Sequence, residues 1–413
     1  MDSATVVRTV PDPTPTDHGA AAVIATSDAP DTGLHVELVQ DEPTFLSMES
    51  VWNRLVDEAG LDHPFIRHEW IRTWWECFQP AGMLHILIVK RGQEPVAIAP
   101  LMLDRGRLYG CPVRRLRGIA NVYTERFDLI LSRDPKECCG AIWRFLAARA
   151  AQWDVLELRQ IPEGSHVDEH LLLQAFEDKF LLGQWPSSQG PYVTLDQPWE
   201  AYWKGLSKRH TSNLRGREKG LHRVGEVQCE IVRGGEALSE AITEAFLLEA
   251  AAWKGRAGTA IMSRPERAAF YRQVLHRSAE RGWTRLFFLT VNGKRIAVQL
   301  ALLLNQKLYI LKSGYDPLYA QFAPSLVLCG LMLREAWKEG LREVDFMGDP
   351  ERWKMEWATK TRAHSWLFIF PNRPRLRLLH RLKFIILPRM HQHPLYRAAK
   401  FAGRRLGLTL HRD

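Results

Sequence analysis

A chain of 413 residues, 46% hydrophobic and with 15 tryptophans, can bury a sizeable core and is long enough for two domains with tails. No run of about 18 apolar residues occurs, which excludes a spanning helix; the Asp- and Pro-rich start is no signal peptide, so a cytoplasmic protein is expected. The net charge of +9 would suit nucleic acid, but eleven Lys or Arg against the single acid Asp413 lie beyond residue 370, leaving the folded middle nearly balanced and nucleic acid an unexpected partner.

Residues 1–33 are rich in Pro, Thr, Ala and Asp and are expected to be disordered. Leu34 to Val39 alternates as a strand, and Glu42 to Ala59 reads as a helical stretch. Within Glu69 to Phe78, the residues Trp70, Ile71, Trp74, Trp75 and Phe78 recur at helical spacing and form a core stripe. Leu84 to Val89 and Val96 to Leu103 make a hairpin across Arg91-Gly92. Phe127 to Leu131 is a strand, Pro135 to Ala150 a helix and Val155 to Leu158 a further strand. Arg114, Arg115 and Arg117 read either as a solvated loop or as the lining of a groove for an anionic substrate. Pro186 to Gly190 marks a domain boundary, after which Tyr192 to Leu195 restarts a strand. Trp199 to Leu221 is a helix interrupted or ending near Gly216. It carries Lys204, Lys208, Arg209, His210, Arg215, Arg217 and Lys219, either a solvated face or a basic rim for phosphate groups.

The second half opens with Leu286 to Val291 and Asn292-Gly293, the dipeptide best suited to a tight hairpin turn. Arg295 to Leu304 and Leu308 to Tyr315 complete a three-stranded meander. Pro317 and Pro324 have no N–H for a ladder, so the strand stops, and Ser325 to Lys338 becomes a helix with Pro324 at its start. Its N-terminus suits a phosphate or pyrophosphate; a plain crossover without ligand is the alternative. Glu343 to Met347 is a strand broken by Gly348-Asp349-Pro350. On it Asp345 faces away from Val344 and Phe346, a carboxylate on an inner strand that must be paired or used.

The order hairpin, strand, helix, strand occurs twice. The expected fold class is therefore α/β (α+β), with two halves, residues 34–190 and 191–370, each a mixed, mostly antiparallel sheet flanked by helices. Leu376 to Leu387 and Leu395 to Leu408, within a tail of residues 371–413, read as basic amphipathic helices, lying on anionic lipid or packed back on the protein. Six cysteines at irregular spacing, without CxxC pairs or clustered histidines, give no metal site.

Several motifs, in order, carry a resemblance: Leu206-Ser207-Lys208-Arg209-His210, Leu214-Arg215, Trp253-Lys254-Gly255, Gly258-Thr259-Ala260, Tyr315-Asp316-Pro317, Phe322-Ala323-Pro324, Asp345-Phe346, Trp353-Lys354 and Trp357. Together they resemble the CelD/BcsL-type branch of the GNAT acetyltransferase superfamily. One departure is Ser325, where that family often has glycine. The resemblance implies an acyl-CoA-dependent N- or O-acyltransferase, with acetyl-CoA as co-substrate and a sugar or exopolysaccharide precursor as acceptor. An acceptor would attack the thioester directly, so catalysis is mostly positioning, with a base for its proton. The implied catalytic set is drawn from Tyr315, Asp316, Asp345 and Lys354. Phe322, Ala323, Pro324, Ser325 and Leu326 would hold the cofactor, and Arg209, Arg215, Trp253 and Lys254 the substrate. A FemAB-like aminoacyl-tRNA-dependent transferase, also built from two such halves, and a silent membrane-associated scaffold are the alternatives.

Overall fold

The structure is a computed structural model that describes residues 33–78, 81–251 and 258–392. The expected disorder of the first residues, Trp253 and Lys254, and the tail helix from Leu395 therefore lie outside the described residues.

The first half holds β1 (Leu34–Val39), α1 (Glu42–Ser47), α2 (Glu49–Glu58), α3 (His68–Phe78), β2 (Gly82–Leu84), β3 (Ile86–Arg91), β4 (Glu94–Ala99), β5 (Leu101–Leu108), β6 (Cys111–Gly118), β7 (Ile130–Leu131), α4 (Pro135–Ala148), β8 (Val155–Pro162) and α5 (Leu172–Glu177). After β9 (Leu181–Thr194) come α6 (Trp199–Gly205), α7 (Lys208–His222), β10 (Val227–Val232), α8 (Leu238–Ala251), α9 (Pro265–Glu280), β11 (Thr284–Val291), β12 (Lys294–Leu304), β13 (Lys307–Tyr315), α10 (Pro324–Lys338), β14 (Glu343–Asp345), α11 (Arg352–Met355) and β15 (Lys360–Phe370). The chain closes with α12 (Pro374–Arg381) and α13 (Leu387–Gln392).

The strands form a four-stranded sheet, β1-β3-β4-β7, and an eleven-stranded one, β10-β11-β12-β13-β14-β9-β15-β8-β6-β5-β2. Most neighbours are antiparallel, while β13 pairs parallel with β14 and β6 with β8. The meander forms where the turns favour it. Asn292 and Gly293 take φ of 50° and 77°, and Asn305 and Gln306 take 48° and 61°, the left-handed pairs that suit the twist of two-residue hairpins. The fold is thus the expected mixed α/β class with the meander, helix, strand order in the second half and a looser version in the first.

The halves are knitted rather than abutted. β15 leaves the second half and inserts between β9 and β8, so a single sheet runs through both. Pro186 to Gly190 is accordingly no linker: β9 runs unbroken through it, and a register shift in β15 between Ala363 and Ser365 absorbs the irregular pairing opposite Pro186. The expected boundary after Gly190 falls inside this strand. The helix after Trp199 also breaks elsewhere, at Leu206-Ser207, where the Ser207 side chain accepts from the His210 N–H at 3.2 Å; Gly216 sits within α7. Glu343 to Met347 stays in the sheet only to Asp345, because Met347 turns to φ 57°.

Residues 376–387 pack part of their apolar face back on the protein. Leu376, Leu379 and Phe384 are buried with Val113, Val155, Phe368 and Phe370. The Phe384 ring lies over Gly183, where an added Cβ would stand 2.2 Å from it. Phe384→Ala is therefore expected to lower the unfolding free energy by about 3–5 kcal/mol in urea melts, and removing everything after Phe370 should cause aggregation. An unchanged midpoint in the alanine variant would show that this helix contributes nothing to the fold.

Candidate functional site

The site is built by the crossover from β13 to β14. The two strands are bonded only from Lys307 to Tyr309 against Glu343 to Asp345. Beyond that point β13 continues to Tyr315 on β12, with a register shift that leaves Leu311 unpaired, while the chain after Asp345 turns away through Met347 and Gly348. The sheet therefore splits into a wedge, and the β13 edge in it has no strand partner among the described residues.

At the wide end lies the proline loop. Asp316 accepts from the Leu318 N–H at 3.0 Å and pairs with Lys294 at 2.9 Å, which fixes the start of the turn Pro317–Phe322. Ala323 is left-handed, at φ 47° and ψ 58°, and Pro324 is the first residue of α10. No side chain caps α10 and no acid stands in its first turn, so its N-terminal N–H groups and partial positive charge face the loop. Phe322, Ala323, Ser325 and Leu326 are half-buried around this terminus and Pro324 is buried.

Helix α7 runs alongside. A Cβ on Gly330 of α10 would stand 2.9 Å from Leu214, and one on Gly220 would stand 3.1 Å from Phe322, so small residues let the helix approach both α10 and the loop. Arg217 donates to the Gln321 carbonyl. An open depression of about 530 Å³ follows, lined by Arg209, Ser212, Asn213, Gly216 and Arg217. Arg215 is not among these; its guanidinium lies 5.6 Å from the Trp203 ring.

The narrow end is a different place. Tyr309 is level with Asp345, and Tyr315 lies six residues further along β13, roughly 20 Å away at strand spacing. Tyr315 and Asp316 thus belong to the loop end, and Asp345 and Lys354 to the throat. Asp345 is fully buried and accepts from Arg126 at 2.7 Å, Arg362 at 2.8 Å and the Met347 N–H at 2.9 Å. Lys354 does not pair with it: its ammonium donates to the carbonyls of Met347 at 2.8 Å and Asp349 at 3.2 Å and closes the turn after β14. Burial lowers the Lys354 pKa. His364, held neutral by burial with its pKa at about 4, receives the Arg126 Nε–H at 3.3 Å.

Between throat and loop stands a group that the sequence reading missed. Glu125, on the stretch after β6 in the first half, is half-buried, and burial raises its pKa against the pull of Lys312 and Lys354. The Lys312 ammonium lies 5.6 Å from the Tyr271 ring and 5.9 Å from the Tyr123 ring. The Glu125 carboxyl, under the influence of Lys312 and Lys354, thus shares the region where the strands part with Lys312 and the two phenols beside it. That arrangement can take a proton from an incoming nucleophile and stabilise negative charge on a leaving group. Nothing local in Thr124-Glu125-Arg126 signals this; only the joining of the halves does. Arg114, Arg115 and Arg117 line no groove. They lie on β6 and pair with Asp154 at 3.1 Å and with Asp104 at 2.8 and 2.7 Å.

Residues 208–355 match a family model described as "Acetyltransferase (GNAT) domain". This stretch is similar to a GNAT acetyltransferase domain. It spans α7, the proline loop, α10, Asp345 and Lys354, and leaves Glu125 outside. No curated protein matches the chain. Among solved structures, FemX is 13% identical, with 83% of this chain and all of that one covered at a TM-score of 0.52, a likeness of fold. A tandem GNAT protein from the clavulanic acid biosynthesis pathway is 13% identical, with 81% of this chain and 98% of that one covered at a TM-score of 0.43.

The first half repeats the helix entry of the matched stretch, with acids at the helix start that α10 lacks. Asp134 is left-handed at φ 43° and Pro135 opens α4, as Ala323 and Pro324 open α10. There, however, Asp134 and Glu137 stand at the helix start, paired with Arg91 at 2.9 and 3.0 Å. Carboxylates at that terminus disfavour a phosphate, whereas the first turn of α10 carries no acid.

Proposed function

We propose that the chain is an acyl-CoA-dependent N- or O-acyltransferase whose acceptor is a sugar or cell-envelope saccharide precursor. The observation that carries the reading is the split between β13 and β14 with the uncapped start of α10 at its open end. The Ser325 N–H and the positive end of the α10 dipole would take the pyrophosphate, and Arg209 and Arg217 a further phosphate, with Arg215, Trp253 and Lys254 as the remaining substrate candidates. The β13 backbone would lie along the acyl-bearing arm. Glu125 would accept the proton as the acceptor's nitrogen or oxygen bonds to the thioester carbon, and the C–S bond breaks to release the thiol, with Lys312 or Lys354 beside the departing sulfur. Asp345 holds the throat rather than the acceptor, while Tyr315 and Asp316 shape the loop.

Acetyl-CoA and longer acyl-CoAs are expected to raise the melting temperature, and an amino-sugar acceptor to release free thiol. Glu125→Gln should keep the thermal shift and lose thiol release by about 10²–10⁴-fold. Because the base acts deprotonated and its pKa is raised, the rate should climb with pH on a limb above the ordinary carboxylate range, and that limb should vanish in the variant. Wild-type turnover in Glu125→Gln would place the base elsewhere; no response to any acyl-CoA would favour a silent scaffold.

The likeness of fold to FemX keeps a FemAB-type aminoacyl-tRNA-dependent transferase as the second reading, with the exposed basic face of α7 as its RNA contact. Binding of RNA with steep salt dependence, and none of acyl-CoA, would select it. None of the described helices is long and apolar enough to cross a membrane. Cytoplasmic residence with the basic segment beyond residue 392 at the membrane's inner face completes the proposal; sedimentation with anionic vesicles tests it.

A further inference from the structure

His166, Glu169 and His170 stand at i, i+3 and i+4 in the sequence, a grouping that a reading for paired cysteines and clustered histidines passes over, and the fold gathers their side chains in the first half. Each brings one ligand atom, a ring nitrogen or a carboxylate oxygen, to within 4.8 Å of the other two. The three residues sit on an unusual backbone: Val167–Leu171 is a single π-turn, entered from His166 and continued by α5. Wide turns of this kind recur at functional sites. Val167 and Leu171 are buried in the core, so the turn is pinned from below. His166 and Glu169 are exposed and His170 is half-buried. The two imidazoles are parallel within 5°, with centroids 5.6 Å apart, and the Glu169 carboxylate is 3.8 Å from the His170 Nε2.

The main chain beneath is tied at three points. The Ser165 hydroxyl donates to buried Asp128 at 2.8 Å and accepts from the Val167 N–H at 3.1 Å. The Cys139 thiol donates to the His166 carbonyl at 3.9 Å. A backbone fixed in this way lets the side chains converge with only rotamer motion. Tetrahedral zinc with bonds of about 2.0–2.1 Å needs ligand atoms roughly 3.3 Å apart, which exposed side chains reach by turning inward by about 1.5 Å or less.

We propose that His166, Glu169 and His170 form a binding site for a first-row divalent transition metal, zinc above all, with water in the fourth position. Two imidazoles and one carboxylate suit zinc, nickel or copper and are a poor set for magnesium or calcium, which prefer all-oxygen shells. The site lies outside the matched stretch, so it stands or falls independently of acyl transfer. Metal there would clip the entry of the π-turn at His166 to its second half at Glu169 and His170 and stabilise the first half by mass action.

The test uses the full chain stripped with EDTA and titrated with zinc chloride by calorimetry, alongside melting curves. One zinc ion per chain at micromolar concentration and a raised melting temperature are expected at pH 7.5. At pH 5.5 affinity should fall at least tenfold, since the histidines must shed their protons to bind. The double variant His166→Ala/His170→Ala should lose this ion, Glu169→Gln should weaken it, and magnesium chloride should do nothing. If the double variant fails to fold, Glu169→Gln alone decides, being shape-conserving and exposed. Absence of binding, or equal binding by wild type and variants, overturns the proposal; the latter would place the zinc on histidines elsewhere, such as His393 and His411.

Discussion

Asp345→Asn is expected to lower the unfolding free energy by about 3–5 kcal/mol and to leave acyl-CoA affinity near normal. The carboxylate is fully buried and is shared by Arg126 from the first half and Arg362 from β15. Burial disfavours the Arg126 charge, and Asp345 is the first of the groups that hold it on. An asparagine keeps the shape and one acceptor oxygen but strands a buried guanidinium without a counter-charge, the situation in which breaking an ion pair costs most. Arg362 is partly spared, because Glu343 also receives it at 3.2 Å. Since Arg126 comes from the first half, the loss should loosen the joint between halves and displace its neighbour Glu125, so turnover falls as stability does. Low temperature should recover turnover. Lost turnover with an unchanged urea midpoint would instead make Asp345 a catalytic group, and Lys354→Met, which removes two bonds to carbonyls and no buried pair, serves as the milder comparison.

The sequence was legible where structure is local. The hairpins at Asn292-Gly293 and Asn305-Gln306, the proline entry to α10 and the amphipathic stripe of α3 all depend on residues a few positions apart, and each forms where expected. The burial of Asp345 was likewise readable from its place on an inner strand, as was its need of a partner. What that partner is was not: Arg126 lies 219 residues away. The same distance hid Glu125, and it hid β9 and β15, whose pairing across the halves overrides the breaking tendency of Pro186 and Pro191. Arg114, Arg115 and Arg117 misled for a related reason. Arginines on a strand face read as surface until Asp104 and Asp154 are known to lie opposite. His166, Glu169 and His170 stand at i, i+3 and i+4, a spacing that puts three side chains on one helical face, and a reading for cysteine pairs and runs of histidine alone passes over them.

Ser325→Glu is expected to weaken acyl-CoA binding by 100-fold or more without destabilising the fold. Ser325 follows Pro324 in the first turn of α10, half-buried beside Ala323. Two N–H groups of that turn are already taken, since those of Leu326 and Val327 donate to the Ala323 carbonyl at 2.9 and 3.2 Å. The Ser325 N–H and the summed helix dipole remain as the anion-attracting elements. A glutamate there would stand in the place proposed for the pyrophosphate. Two unit charges about 4 Å apart repel by roughly 4 kcal/mol at an effective dielectric of 20, more than the 2.7 kcal/mol that a 100-fold loss represents. The same carboxylate suits a helix start and should stabilise α10 by about 0.3–1 kcal/mol. Stability and affinity therefore move in opposite directions, which a merely disruptive substitution cannot produce. Ser325→Gly, which keeps the N–H and removes the side chain beside it, should bind acyl-CoA at least as well as wild type. Calorimetric titration with acetyl-CoA and urea melts of both variants read the two quantities separately, and wild-type affinity in Ser325→Glu would move the phosphate site away from this helix.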